Sequence, residues 1–151
     1  MSATPPRMFP PMLALLSAVV MVAIDALFPL EHIVPPPFNR VGWGLVLLGV
    51  SMNLAAARIF RRRGTTISPV GVPATVARDG LYRISRNPMY LGMVLALFGV
   101  GVVLGSLAPL SVPVVFAWYV DRRFIAREEA VMAQRFGDEY CDYRARVRRW
   151  L

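Results

Sequence analysis

The chain has 151 residues, of which 56% are hydrophobic and 17% charged, with a formal net charge of +8. A typical soluble domain carries roughly 25% charged residues, so the composition asks for lipid around much of the chain. One cysteine and one histidine exclude an intrachain disulfide and a Cys/His zinc site, and without a Walker-type or GxGxxG loop the familiar soluble nucleotide-binding folds are unsupported.

Four apolar segments follow in chain order, at about 12–30, 41–60, 88–105 and from about 109 to Val120. Spanning a bilayer takes about 20 mostly apolar residues, so the first three are long enough or nearly so. The fourth is short unless it tilts or begins at Leu107, and Pro113 is expected to kink it. The first follows Arg7 as a signal peptide would. It is long for an h-region and lacks a small-x-small cleavage site, so it is read as a retained span. Asp25, toward its outer end, suits helix pairing or an interfacial role better than chemistry. Asn53 in the second segment is expected to bond a neighbouring helix, and His32, in a proline-rich connection, to face solvent.

Every basic residue is arginine, and the arginines are placed asymmetrically. The 30–40 connection carries only Arg40. The 61–87 connection carries Arg61, Arg62, Arg63, Arg78, Arg83 and Arg86, and the tail after Val120 carries eight more, from Arg122 to Arg149. The positive-inside rule then puts both termini in the cytoplasm, with the first connection and the tight "GSLAP" turn outside. The positive charge therefore marks topology, and no nucleic-acid partner is expected. Small residues at Gly101 and Gly105 suit close packing of the third and fourth segments as a hairpin. Beyond Val120, Phe124, Ile125, Val131, Met132 and Phe136 recur at helical spacing. The fourth helix should continue as an amphipathic helix capped near Gly137, with a short final helix from Asp138.

The stretch "GLYRISRNPMYLG" at 80–92 stands at the threshold of the third span. Each of its features has a structural reading: Asn87 as N-cap, Pro88 at the first helical position, Tyr82 and Tyr90 at interface depth, Arg83 and Arg86 as positive-inside residues. The pair Glu128–Glu129 reads alone as a solvated charged face. Their juxtaposition is what these readings leave unexplained, because the hairpin returns the end of the fourth helix to the side where the third begins. Arg86, Asn87, Tyr90 and the glutamates then share one cytoplasmic pocket. An arginine at a helix N-terminus suits a carboxylate. A glutamate suits an ammonium or ribose hydroxyls, and an apolar wall suits a purine, a set that complements S-adenosylmethionine.

Together, "GTTISPVGVPATVARDGLYRISRNPMYLG" and "AREEAVMAQRFGDEYCDYRARVRRWL" resemble the isoprenylcysteine carboxyl methyltransferase and phospholipid methyltransferase superfamily, over residues 64–151. The shared order is a basic loop, R-[HN]-P-x-Y-x-G, a helical hairpin, E-E, then F-G-x-E-Y-x-x-Y. The resemblance implies an all-α integral membrane enzyme of about four spans, in one domain. Residues 1–60 would form two N-terminal spans, and residues 61–151 the catalytic region, whose helical extension and tail shape the cofactor pocket. It implies S-adenosylmethionine as cofactor, the bacterial inner membrane as location, and a lipophilic acceptor entering from the bilayer. No metal is expected. Arg86, Asn87, Pro88 and Tyr90 fall on the first cofactor motif, Glu128 and Glu129 on the second, and Gly80 and Tyr82 on the approach to the first. Phe136, Gly137, Glu139, Tyr140 and Tyr143 match the tail pattern. Two departures stand out: Asn87 replaces the histidine of the eukaryotic enzymes and cannot serve as a general base, and a V-P-R-x-x-P ending is reduced to "VRRWL".

Methyl transfer from a sulfonium needs mainly positioning and exclusion of water. A carboxylate acceptor would need no base, with Arg86 to orient it. An amine acceptor would need a proton acceptor such as Glu128 or Glu129. Arg86 and Glu129 are the expected catalytic residues. An NADPH-dependent sterol-reductase-like enzyme and a non-catalytic membrane module are the alternatives. Cys141 is expected to be a packed thiol.

Overall fold

The computed structural model describes residues 9–28, 30–62 and 76–151, with the side chains of 60–62 left out. Arg7, Arg63 and the stretch 64–75 lie outside the described residues, so those parts of the resemblance and of the arginine bias have no structural counterpart here. Six α-helices make up the described fold: α1 (Pro10–Leu27), α2 (Val41–Arg62), α3 (Pro88–Leu104), α4 (Leu107–Val120), α5 (Ala126–Phe136) and α6 (Asp138–Arg146). A π-helical turn, Asp121–Ile125, joins α4 to α5 without a break, so the fourth helix continues as expected. Single 3₁₀ turns, Phe38–Arg40 and Gly80–Arg83, precede α2 and approach α3.

α1 and the continuous helix Phe38–Ile59 are long and apolar enough to cross a bilayer, whereas Pro88–Leu104 is apolar but shorter. Leu15, Val19 and Val22 of α1 and Leu47 and Leu54 of α2 point outward and exposed. Water would penalise such surface and hydrocarbon tails would not. The interior joins α1, α3, α4 and the π turn through Met21, Tyr90, Met93, Leu97, Phe116, Val120 and Ile125.

α2 packs almost wholly on α3, and glycine sets how closely. Gly42 and Gly49 are two turns apart on α2, as Gly92 and Gly99 are on α3, so each pair shares one face. A Cβ on Gly92 would lie 2.6 Å from the Gly49 carbonyl oxygen, and one on Gly99 would lie 2.7 Å from that of Gly42. The backbones therefore touch, an approach open only to residues without a side chain. Asn53 adds the expected interhelical bond, donating to the Met89 carbonyl at 3.0 Å.

The 30–40 connection and the α3–α4 turn meet at one end of the bundle. The amides of Ile33 and Val34 both donate to the Gly105 carbonyl, at 2.9 and 3.0 Å, and Asn39 donates to the Val103 carbonyl. Buried Ser106 donates to Asp25, so Asp25 ties α1 to this turn, in keeping with a helix-pairing role. His32 is exposed. All the residues singled out for chemistry lie at the opposite end. Cys141 corrects one expectation there: it is exposed on α6 rather than packed, because that helix turns Tyr140 and Tyr143 inward instead.

Candidate functional site

The threshold stretch forms by local rules. Gly80 opens the 3₁₀ turn at φ +56°, a left-handed conformation that favours glycine. The turn buries Tyr82 against Ala56 and Ala77. Pro88 occupies the first turn of α3, where its missing N–H costs nothing. Asn87 holds the N-cap position, but its side chain makes no capping bond. That corrects the structural reading of Asn87: its amide Nδ2 donates instead to the Arg149 carbonyl at 3.1 Å.

The same carbonyl accepts the Ser85 hydroxyl at 3.2 Å, and the Arg86 amide donates to the Arg148 carbonyl at 3.0 Å. The segment 148–150 thus lies across the threshold stretch like an added strand. Tyr143 fastens the helix before it by donating to the Tyr82 carbonyl at 2.7 Å. Burial pushes the Tyr143 phenol up to about 12, so it remains a donor at neutral pH.

Arg86 and Glu129 are both deeply buried and pair at 2.8 Å. Arg86 also donates to the Arg144 carbonyl at 3.1 Å. Its Nε is buried and has no partner among the described residues. Glu129 takes a second arginine: Arg149 NH2 reaches Oε2 at 2.6 Å. Arg149 extends in turn to Asp121 at 3.1 Å, and the Trp150 indole donates to the same carboxylate at 3.0 Å. The result is a relay of alternating charge, Arg86–Glu129–Arg149–Asp121, that joins the threshold stretch before α3, α5, the 148–150 segment and the π turn. Its bond to Glu129, above all, raises the Arg149 pKa and holds the guanidinium charged.

Glu128 faces elsewhere. It accepts the Tyr90 hydroxyl at 2.7 Å, and burial raises its pKa while that hydrogen bond pulls it partly back. Tyr82, Arg86, Asn87, Pro88, Met89, Tyr90 and Glu128 line an open cleft of about 100 Å³, or about 310 Å³ with the solvent at its mouth. Of the sequence-predicted residues, Glu129 stands behind this lining and Gly80 only shapes the approach. Arg149, Asp121, Trp150 and Ser85 were not foreseen as site residues. For Arg149 and Trp150 the signal was the "VRRWL" ending, where Arg149 could not be told from neighbouring positive-inside arginines; Asp121 and Ser85 carried none.

Comparison with known proteins places this arrangement in a family. A 64-residue stretch, 42% of this chain, is 45% identical to the full length of an uncharacterised protein of Haemophilus influenzae. A 69-residue stretch, 46% of this chain, is 32% identical to part of a protein-S-isoprenylcysteine O-methyltransferase of Schizosaccharomyces pombe, covering 29% of that protein. The phospholipid methyltransferase family matches residues 38–139, from the turn before α2 into α6. With about two thirds of its length inside that match and two helices fit to cross a bilayer, the chain is an integral membrane protein that belongs to the phospholipid methyltransferase family.

Proposed function

We propose that the protein is an S-adenosylmethionine-dependent methyltransferase acting on a lipophilic acceptor at the cytoplasmic face of a bacterial inner membrane. Four spans and cytoplasmic termini belong to this reading. The observation that carries it is the cleft lined by both Arg86, whose buried Nε–H has no partner among the described residues, and the half-buried Glu128 carboxylate. These groups fit the cofactor: Arg86 Nε would meet its carboxylate, Glu128 its positive charge, and the apolar surface of Tyr82, Met89 and Tyr90 its purine.

When bound, the cofactor supplies a methyl group on a sulfonium, already activated for displacement. The chain has only to bind, orient and keep water out. Arg86 is held in place by Glu129 and the Arg144 carbonyl, so its orientation is fixed before any ligand arrives. Tyr90 holds the Glu128 carboxylate at Oε1 in the same way. A carboxylate acceptor asks nothing further of these groups. An amine acceptor must lose a proton, and Glu128, with its raised pKa, is the nearest carboxylate in the cleft to take it. Glu129, with both oxygens engaged by arginines, shapes the site from behind.

Family membership favours methyl transfer over hydride transfer from NADPH. Titration of S-adenosylmethionine and, separately, NADPH into detergent-purified protein tests this. Saturable binding of the first and none of the second is expected; binding of NADPH alone, or of neither, would overturn the reading.

A further inference from the structure

A guanidinium meets a carboxylate most readily as a fork, through two of its nitrogens at once. Arg86 and Glu129 share only one such bond, NH2 to Oε1 at 2.8 Å, and Arg86 Nε stays unpaired among the described residues. The reason is that the other oxygen, Oε2, is already held by Arg149 NH2 at 2.6 Å, while Arg149 Nε shares Oε1 at 3.3 Å. Arg149 is itself anchored from two directions. Asp121 takes its NH1, and Ser85 and Asn87 grip its carbonyl. It also lies beyond the residues that match the family.

We propose that Arg149 is a positioning residue: by occupying Oε2 of Glu129 it stops Arg86 from closing into a two-pronged pair, and so keeps Arg86 Nε–H available to a ligand carboxylate. Arg149 needs no contact with the ligand to do this. It acts through Glu129, and its effect should appear only for ligands that carry the carboxylate. The inference rests on the methyltransferase reading above.

The test uses the full chain in detergent and two probes, S-adenosylmethionine and its decarboxylated analogue, with affinity as the readout. Arg149→Gln is expected to weaken the first by at least about tenfold and leave the second within about twofold. Arg149→Lys should fall between Arg149→Gln and the parent. Adding Arg149→Gln to Arg86→Gln should cost little more than Arg86→Gln alone, because both remove the same N–H contact. If Arg149→Gln does not fold, Arg149→Lys decides by the same selectivity. Equal losses for both probes, or no loss for either, would overturn the positioning role and leave the methyltransferase reading standing. A parent protein that binds neither probe would overturn both.

Discussion

Glu129 gives both oxygens to arginines, whereas Glu128 accepts the Tyr90 hydroxyl and, half-buried, lines the open cleft. Glu129→Gln leaves two guanidinium groups without their shared counter-charge. It should lower stability by about 2–3 kcal/mol, read as a reduced unfolding midpoint in detergent. Glu128→Gln should do the opposite near neutral pH. Because burial raises the Glu128 pKa, the protonated form is the one the fold favours. Its contribution is present below the ordinary carboxylate range and is lost as pH rises through the raised value. Glutamine keeps an acceptor for Tyr90 without the charge, so this variant should match or exceed the parent at pH 7. Cofactor affinity runs the other way: it should fall as the pH drops through the raised value, and Glu128→Gln should abolish that dependence. From sequence alone Glu129 was the expected catalytic carboxylate, because adjacency on a helix does not say which side chain meets the cleft, and there it is Glu128 that lines it. Asn87 teaches the same lesson. Its residue type fits an N-cap, yet a carbonyl some sixty positions later claims its amide. Asn87→Asp sets an acceptor against that carbonyl and should weaken cofactor binding more than Asn87→Ser, as equilibrium binding would reveal.

The packing of α2 on α3 depends on glycines that read, in the sequence, as ordinary small residues of apolar runs. The glycines singled out there, Gly101 and Gly105, lie where α3 meets α4 and the turn after it. The closer backbone contact is made by Gly42, Gly49, Gly92 and Gly99, because pairing two helices requires knowing their relative register, which one chain's periodicity does not contain. Gly92→Val should force α2 off α3 and cost about 1–3 kcal/mol by overpacking, seen as a lower unfolding midpoint in detergent. Gly44, with nothing within 4 Å of its would-be Cβ, is the control, and Gly44→Ala should be neutral or slightly stabilising. The π turn at Asp121–Ile125 was equally hidden. Its apolar residues fit a continuous helix, and only the structure shows the widened turn that presents Asp121 to Arg149 and Trp150.

At the scale of the whole molecule the arginine asymmetry was the most legible signal. The loop end is joined by Gly105, Ser106 and the 30–40 connection, and the site end holds the described arginines of the threshold stretch and tail. Alternating helices make that separation necessary once the hairpins form; placing the site end in the cytoplasm belongs to the proposed reading and rests on charge alone. Exposed Cys141 is a native reporter for the site end. A membrane-impermeant maleimide should label it only after cells are permeabilised. With Cys141→Ser in place, His32→Cys should label in intact cells. The reverse pattern would invert the orientation.

The hydrogen bonds from Ser85, Arg86 and Asn87 to the carbonyls of Arg148 and Arg149 also impose an order in time. A ribosome makes the threshold stretch some sixty residues before the segment that straps it. By then α1 to α4 have all emerged. Until the strap arrives, Glu129 lacks its second arginine and the cleft lacks its final shape. A chain lacking residues 148–150 is therefore expected to be inert, with competence to bind ligand arising only once that segment is made and docked.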